Sequence, residues 1–271
     1  MSTLSLLLEP ARLQPQLGRA DMLVVDLRNP EGYAQGHIPG AVNLPYSAII
    51  RTQPPTGGLL PSATELSRVL SAIGLTPEHR VVAYDNEGSG RSGRLFWTLQ
   101  ALGHLQCQLL NGGLTAWMAE QRPLETTPIV PQPSDYQAQW QHPEVIAERE
   151  YIQSRLGNPD FLPLDCRTPA EYRGHDVRAA RSGHIPGAVN LNWVECIDDD
   201  RALRFKPEAY LRRTLEALGV TPDKEIVVYC QTHHRSSHTY AVLKHLGYPQ
   251  VRGYPGSWSD WGNAADTPIE Q

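Results

Sequence analysis

Five short, nearly continuous apolar runs punctuate the chain: Met22–Asp26, Val81–Tyr84, Gln108–Leu110, Phe161–Asp165 and Glu225–Tyr229. Each has the length and β-rich composition of a strand. Because they are apolar throughout rather than alternating, they suit a parallel sheet covered on both faces. Between them the apolar residues recur at helical spacing. One helix is predicted to start at Ser62, after Pro61, with Glu65 completing a capping box. Leu66, Val69, Leu70 and Ile73 form its apolar stripe and Gly74 ends it. A second helix carries Leu211, Leu215 and Leu218 before Gly219. Strands alternating with helices predict an α/β fold, a parallel sheet flanked by helices in each half of the chain.

The two halves are copies of one another. Gly36–Leu44 (Gly-His-Ile-Pro-Gly-Ala-Val-Asn-Leu) recurs without change at Gly183–Leu191. Upstream, Val25–Pro30 parallels Leu164–Pro169, and Tyr33 parallels Tyr172. Downstream, Ala72–Pro77 parallels Ala217–Pro222, Val81–Asp85 parallels Ile226–Cys230, and Gly112–Trp117 resembles Gly256–Trp261. The matches are collinear, so the chain is read as two domains, 1–125 and 145–271. The segment 126–144 carries Pro128, Pro131, Pro133 and Pro143 and reads as an extended linker.

Composition narrows the classes. At 271 residues, 40% hydrophobic and 20% charged, the chain is an ordinary globular protein with room for two domains. No run approaches the about 20 apolar residues of a membrane span. The first twelve residues lack the basic start and apolar stretch of a secretory signal. A net charge of −5 disfavours nucleic acid as a partner. Cys107, Cys166, Cys196 and Cys230 form no C-x-x-C pair, which argues against a disulfide framework and for the cytoplasm.

A duplicated domain is its own control: shared residues hold the fold, and differences point to chemistry. The Gly-His-Ile-Pro-Gly turns with His37 and His184, and the pairs Asp26–Arg28 and Asp165–Arg167, occur in both copies and read as structural. The informative difference follows one strand. Copy one continues Tyr84-Asp85-Asn86-Glu87-Gly88-Ser89-Gly90-Arg91, copy two Tyr229-Cys230-Gln231-Thr232-His233-His234-Arg235-Ser236. In copy two a helix starts near Ser236, buries Tyr240, Val242, Leu243 and Leu246, and stops at Gly247. Ligands of α/β folds bind at such a carboxyl strand end. The amides of a short curled loop and a helix N-terminus make an anion nest. A cysteine opening it is held as a reactive thiolate. His233, His234 and Arg235 add groups suited to an anionic substrate. Asp85 in the matching place cannot accept sulfur, so only copy two is expected to be active. Cys166 also ends a strand, but Arg167-Thr168-Pro169 offers no helix-opening loop, and Cys107 and Cys196 read as structural.

Gly183–Ala188, the loop Cys230–Arg235 and Gly256–Trp261 together resemble the rhodanese family in its tandem-domain form, over nearly the whole chain. The resemblance implies a silent first domain and a second domain whose cysteine opens a six-residue loop. Four residues separate Cys230 from Arg235, whereas related phosphatases have five, a roomier cradle for phosphate. The loop Cys-Gln-Thr-His-His-Arg differs from the best-known thiosulfate and mercaptopyruvate loops, and Pro186 stands where the thiosulfate type has an arginine in the Gly-His-Ile-x-Gly turn.

The resemblance implies a thiosulfate:cyanide sulfurtransferase. Sulfane sulfur passes from thiosulfate to a thiophilic acceptor, whether cyanide, a thiol or a protein, through a persulfide on Cys230. No cofactor is required beyond that covalent intermediate. Arg235 is assigned to the sulfonate, with Gln231, Thr232, His233 and His234 as further substrate-binding groups, and Arg235→Ala is expected to cost far more turnover than stability. The alternatives are mercaptopyruvate as donor, sulfur delivery to a protein, a phosphatase, or a non-catalytic binding module. A metal site through Cys230, His234 and His238 lacks an evident fourth ligand. A monomer is expected.

Overall fold

A computed structural model describes residues 5–271; the start of the segment weighed above as a secretory signal lies outside them. The chain divides into two compact units. The first comprises Met1–Ile50, Leu60–His142 and Asp198–Phe205, the second Arg51–Leu59, Pro143–Ile197 and Lys206–Gln271. Each unit thus takes one short excursion from the other half of the sequence, which the repeat does not reveal.

In the first unit β1 (Leu7–Leu8), α1 (Pro10–Leu13), β2 (Met22–Asp26), α2 (Pro30–Gln35) and β3 (Val42–Asn43) come first. The hairpin β4 (Arg51–Gln53) and β5 (Thr56–Leu59) belongs to the second unit. The first unit resumes with α3 (Ala63–Ala72), β6 (Arg80–Tyr84), α4 (Gly90–Ala101), β7 (Cys107–Leu110) and α5 (Gly113–Ala119). Its sheet is parallel in the order β1-β7-β6-β2-β3. Ser62 caps α3 with Glu65 in the predicted reciprocal box, and Leu66 and Leu70 are its buried side. Residues 126–142 form neither helix nor strand, and Ser134 N–H and Gln141 N–H bond Ser71 O and Ala101 O.

The second unit repeats the plan with α6 (Arg149–Arg155), β8 (Phe161–Asp165), α7 (Pro169–Tyr172) and β9 (Val189–Asn190). The two-residue strands β10 (Ile197–Asp198) and β11 (Arg204–Phe205) flank the other excursion. Then follow α8 (Glu208–Ala217), β12 (Glu225–Tyr229), α9 (Arg235–His245), β13 (Val251–Gly253) and α10 (Ser257–Trp261). The sheet is parallel in the order β13-β12-β8-β9. Phe161, Val227, Tyr229, Ile185, Trp258 and Trp261 pack one side of it. Helix α9 is buried from Ser236 to Leu243, on all sides rather than along the predicted stripe.

The shared motifs build the same scaffold twice. Arg28 and Arg167 each clamp the preceding aspartate, at 2.6 Å, and reach the carbonyls of Gly36 and Gly183 at 2.7 Å. His37 and His184 stack on Tyr33 and Tyr172 with ring centroids 3.8 Å apart. The hydroxyls of Tyr84 and Tyr229 accept the N–H of Ile38 and Ile185. These bonds tie the recurrent turn to the end of the central strand, where each copy places its loop.

Candidate active site

Strand β12 pairs residue for residue with β8 up to Tyr229–Asp165, and Cys230 follows at the carboxyl end. From there the chain curls through Gln231–His234 into α9. The curl is held from outside by the start of α10: Trp258 N–H bonds Cys230 O at 2.9 Å and Ser259 N–H bonds Gln231 O at 3.0 Å. Ser257 Oγ accepts the N–H of Cys230 (3.3 Å) and of His233 (3.0 Å) and donates to Tyr254 O at 2.7 Å. His233 sits in the left-handed region, φ +53°, and this reverses the loop. With the carbonyls of Cys230 and Gln231 engaged by α10, the amides of Thr232 and Ser236 are left for the sulfur.

Cys230 is fully buried. Burial by itself pushes a thiol up, but here it is outweighed by the Arg235 charge, the Ser236 hydroxyl and amide and the Thr232 amide, and the Cys230 pKa lies below the ordinary thiol value. The other three cysteines go the opposite way. Burial raises Cys107 and Cys166, and pushes Cys196 up to about 12. Contrary to the sequence reading, a helix does open after Cys166: Thr168 caps the four-residue α7. Cys166 nonetheless lacks a loop like that of Cys230, because α7 begins only three residues on.

The six residues singled out from the sequence share this loop, but in different settings. His233 is buried, and its Nδ1 shares a hydrogen bond of 2.7 Å with Ser236 Oγ. With the Ser236 hydroxyl directed to the sulfur, Nδ1 is the donor in that bond. His234 is half-buried, its ring 6.0 Å from that of Trp193. Gln231 donates through Nε2 to Arg178 O at 3.0 Å. Thr232 is half-buried against the β4–β5 hairpin. Arg235 is not a free cation: its guanidinium grips Glu171 through two bonds, 2.6 and 2.8 Å.

Glu171 was not singled out from the sequence. It is the third residue of the α7 capping box, bonded to Thr168, and its side chain is 1% exposed. Burial would raise its pKa, but the bond and charge of Arg235 dominate and bring it down to about 2. The signal was present as Thr168-x-x-Glu171, a capping-box spacing. Arg178, 3.7 Å from Glu171 and largely exposed, comes from a stretch after Tyr172 that copy one lacks. Ser236 and Ser257 carried no comparable signal.

Copy one shows what the cradle does to an anion it already owns. The carboxylate of Asp85 accepts the N–H of Glu87 (3.0 Å), Ser89 (3.0 Å) and Ser92 (2.9 Å) and the Ser92 hydroxyl (3.0 Å). Burial first, and the Glu87 charge next, raise its pKa despite these donors. Gly88 and Ser89, three and four after Asp85, are both left-handed, whereas the copy-two loop has His233, three after Cys230. The serine that donates to the anion stands seven residues after Asp85 but six after Cys230, an offset that the equal-length pairing of the two sequences concealed. Arg91 there pairs with Glu87 at 3.2 Å.

The Rhodanese-like domain family matches this chain twice, over residues 9–120 and 148–264. The thiosulfate sulfurtransferase of Pseudomonas aeruginosa is 47% identical over 269 residues, 99% of this chain and 98% of that protein. The thiosulfate sulfurtransferase of Azotobacter vinelandii is also 47% identical, over 99% and 98% of the two chains. The sulfur carrier protein TtuD of Thermus thermophilus is 35% identical over 88% of this chain and 86% of its own. Among solved structures, the anaerobic ergothioneine biosynthesis enzyme from Chlorobium limicola superposes with a TM-score of 0.87, covering 100% of this chain and 71% of that one. At 20% identity that likeness concerns the fold alone.

Proposed function

The chain belongs to the rhodanese family, and from that premise we propose that it is a thiosulfate sulfurtransferase working through a persulfide on Cys230. The observation that carries the site is the cradle around Cys230: of four buried cysteines it alone has its pKa drawn down, by Arg235, Ser236 and loop amides after burial has been overcome. In the first step the Cys230 thiolate attacks the outer sulfur of thiosulfate. A new S–S bond forms, the S–S bond of thiosulfate breaks, and sulfite leaves with its electron pair. In the second step a nucleophile such as cyanide takes the outer sulfur and returns the thiolate. No proton is gained or lost in either step, so the cradle's task is electrostatic.

A dianion approaching a thiolate is repelled, and positive potential must offset that. Arg235 supplies it beside the sulfur, while Glu171 holds both terminal nitrogens of its fork. The amides of the loop, Thr232 among them, then receive the outer sulfur of the persulfide, as the Ser89 and Ser92 amides receive Asp85 in copy one. His233 fixes the Ser236 hydroxyl. His234 and Gln231 are the loop's remaining polar side chains and serve as further substrate-binding groups. Sulfur travels on the protein itself, so no cofactor takes part.

The location we propose is the cytoplasm, in keeping with four free cysteines. Among the described residues no helix is long and apolar enough to cross a membrane. We take the acting species to be a monomer and its acceptor to be a small thiol, cyanide or a protein thiol. The deciding experiment is intact mass after incubation with thiosulfate, for the native protein and Cys230→Ala. A gain of one sulfur atom, reversed by cyanide and absent from the variant, is expected. A native protein that gains nothing, or a variant that still gains sulfur, refutes the assignment.

A further inference from the structure

We propose that Gly58, on the β4–β5 hairpin, is a positioning residue for the Cys230 loop: by having no side chain it lets the hairpin seat against the Thr232–His233 peptide and fix the plane of that peptide. The hairpin lies in the second unit although its sequence belongs to the first repeat. It meets the loop in two places. Gly57 N–H donates to Ser259 Oγ at 3.0 Å, while the Ser259 hydroxyl donates to Gly256 O at 2.8 Å with Gly57 O further off at 3.3 Å. Ser259 in turn holds Gln231 O through its own N–H at 3.0 Å. The second meeting is direct. A Cβ on Gly58 would stand 2.0 Å from Thr232 O, 2.6 Å from Thr232 C and 2.8 Å from Thr232 Cβ. These are backbone atoms and the root of a side chain, so no rotamer change relieves the clash.

Thr232 C=O and His233 N–H share one rigid peptide plane. Pushing the oxygen turns the N–H away from Ser257 Oγ, the atom that also holds the N–H of Cys230. The same rotation disturbs the left-handed His233, whose ring supports Ser236. Thr232 and Ser236 are both among the donors that favour the Cys230 thiolate. A side chain at position 58 therefore reaches the sulfur through two bonds rather than by touching it.

The proposal rests on Cys230 being the sulfur-accepting thiol, but its test does not need turnover. The full-length chain carrying Gly58→Ala is compared with native protein and Gly219→Ala. Gly219 also has a left-handed backbone (φ +72°), and an added Cβ there meets nothing within 4 Å, so this control feels backbone strain only. Iodoacetamide alkylation of Cys230 is followed against pH by mass spectrometry of its peptide. Gly58→Ala is expected to raise the midpoint by about one pH unit, a size typical of losing charge-stabilising donors. Gly219→Ala should lower the melting temperature and leave the midpoint in place. If Gly58→Ala does not fold, Ser259→Ala loosens the hairpin without a clash and should move the midpoint in the same direction. A native midpoint in whichever of the two variants folds overturns the proposal. Absence of sulfur uptake from thiosulfate with a shifted alkylation midpoint would instead refute the activity and leave the clamp standing.

Discussion

At the scale of single residues, the pair Glu171–Arg235 changes what a mutation at Arg235 means. From sequence, Arg235→Ala is expected to cost far more turnover than stability. In the structure that change strands a buried carboxylate, and breaking a buried pair costs about 3–5 kcal/mol. Arg235→Lys separates the two effects, because lysine keeps the charge but loses the fork. We expect it to retain most of the stability and to lower kcat/KM for thiosulfate about tenfold, roughly the 1.4 kcal/mol of one good ionic contact. Equal kcat/KM for the two proteins would mean that the charge at position 235, and not the fork, serves the sulfonate. Glu171 gives a pH test of the pair itself. Its folded pKa of about 2 lies below the ordinary 4.5, so its stabilising contribution is complete above pH 4.5 and is lost as the pH falls through about 2. That contribution is on the order of 3 kcal/mol. Melting curves of native protein and Glu171→Gln should therefore converge as the pH falls from 4.5 towards 2. Parallel curves would mean that the pair contributes nothing.

At the scale of elements, the strand–loop–helix unit was legible because its parts are local. Strands β2, β8 and β12 have the bounds that the apolar runs suggest, and the Ser62–Glu65 box is a contact across three residues. What escaped was whatever depends on long-range closure. Glu171 lies 64 residues from Arg235 in sequence, and Ser257 lies 24 from His233. The donor spacing also escaped, since pairing the two copies by letters hides the one-residue offset between Ser92 and Ser236. That offset carries a prediction. The copy-one donors are offset by a residue and converge on a carboxylate, and its Arg91 is committed to Glu87. Installing a cysteine is then not enough to make a second site. The double variant Asp85→Cys, Cys230→Ala should take up no sulfur from thiosulfate, as read by intact mass. Uptake by that protein would mean that the thiol alone, and not the loop, had been missing.

At the scale of the whole molecule, the duplication was plain from Gly36–Leu44 and Gly183–Leu191, whereas the exchange of short excursions was not. Arg51–Leu59 is polar, has Pro54, Pro55, Gly57 and Gly58 and no strong periodicity, so nothing in it announces which core it serves. Its partner appears only when Gly57 is found on Ser259. The two depressed acids at the Cys230 site, Cys230 itself and Glu171, then set an order of events on acidification. Cys230 must be a thiolate to attack, and its activity is present above its folded pKa and fades as the pH falls through it. Glu171 keeps its charge until about pH 2. Turnover should therefore be lost while the fold around the site is still intact, and should return in full when the pH is restored. Parallel pH series of kcat/KM and near-ultraviolet circular dichroism check this, with the acid limb of activity expected above that of structure. Coincident limbs would show that acid inactivation is unfolding, and that the thiolate is not what limits the reaction at low pH.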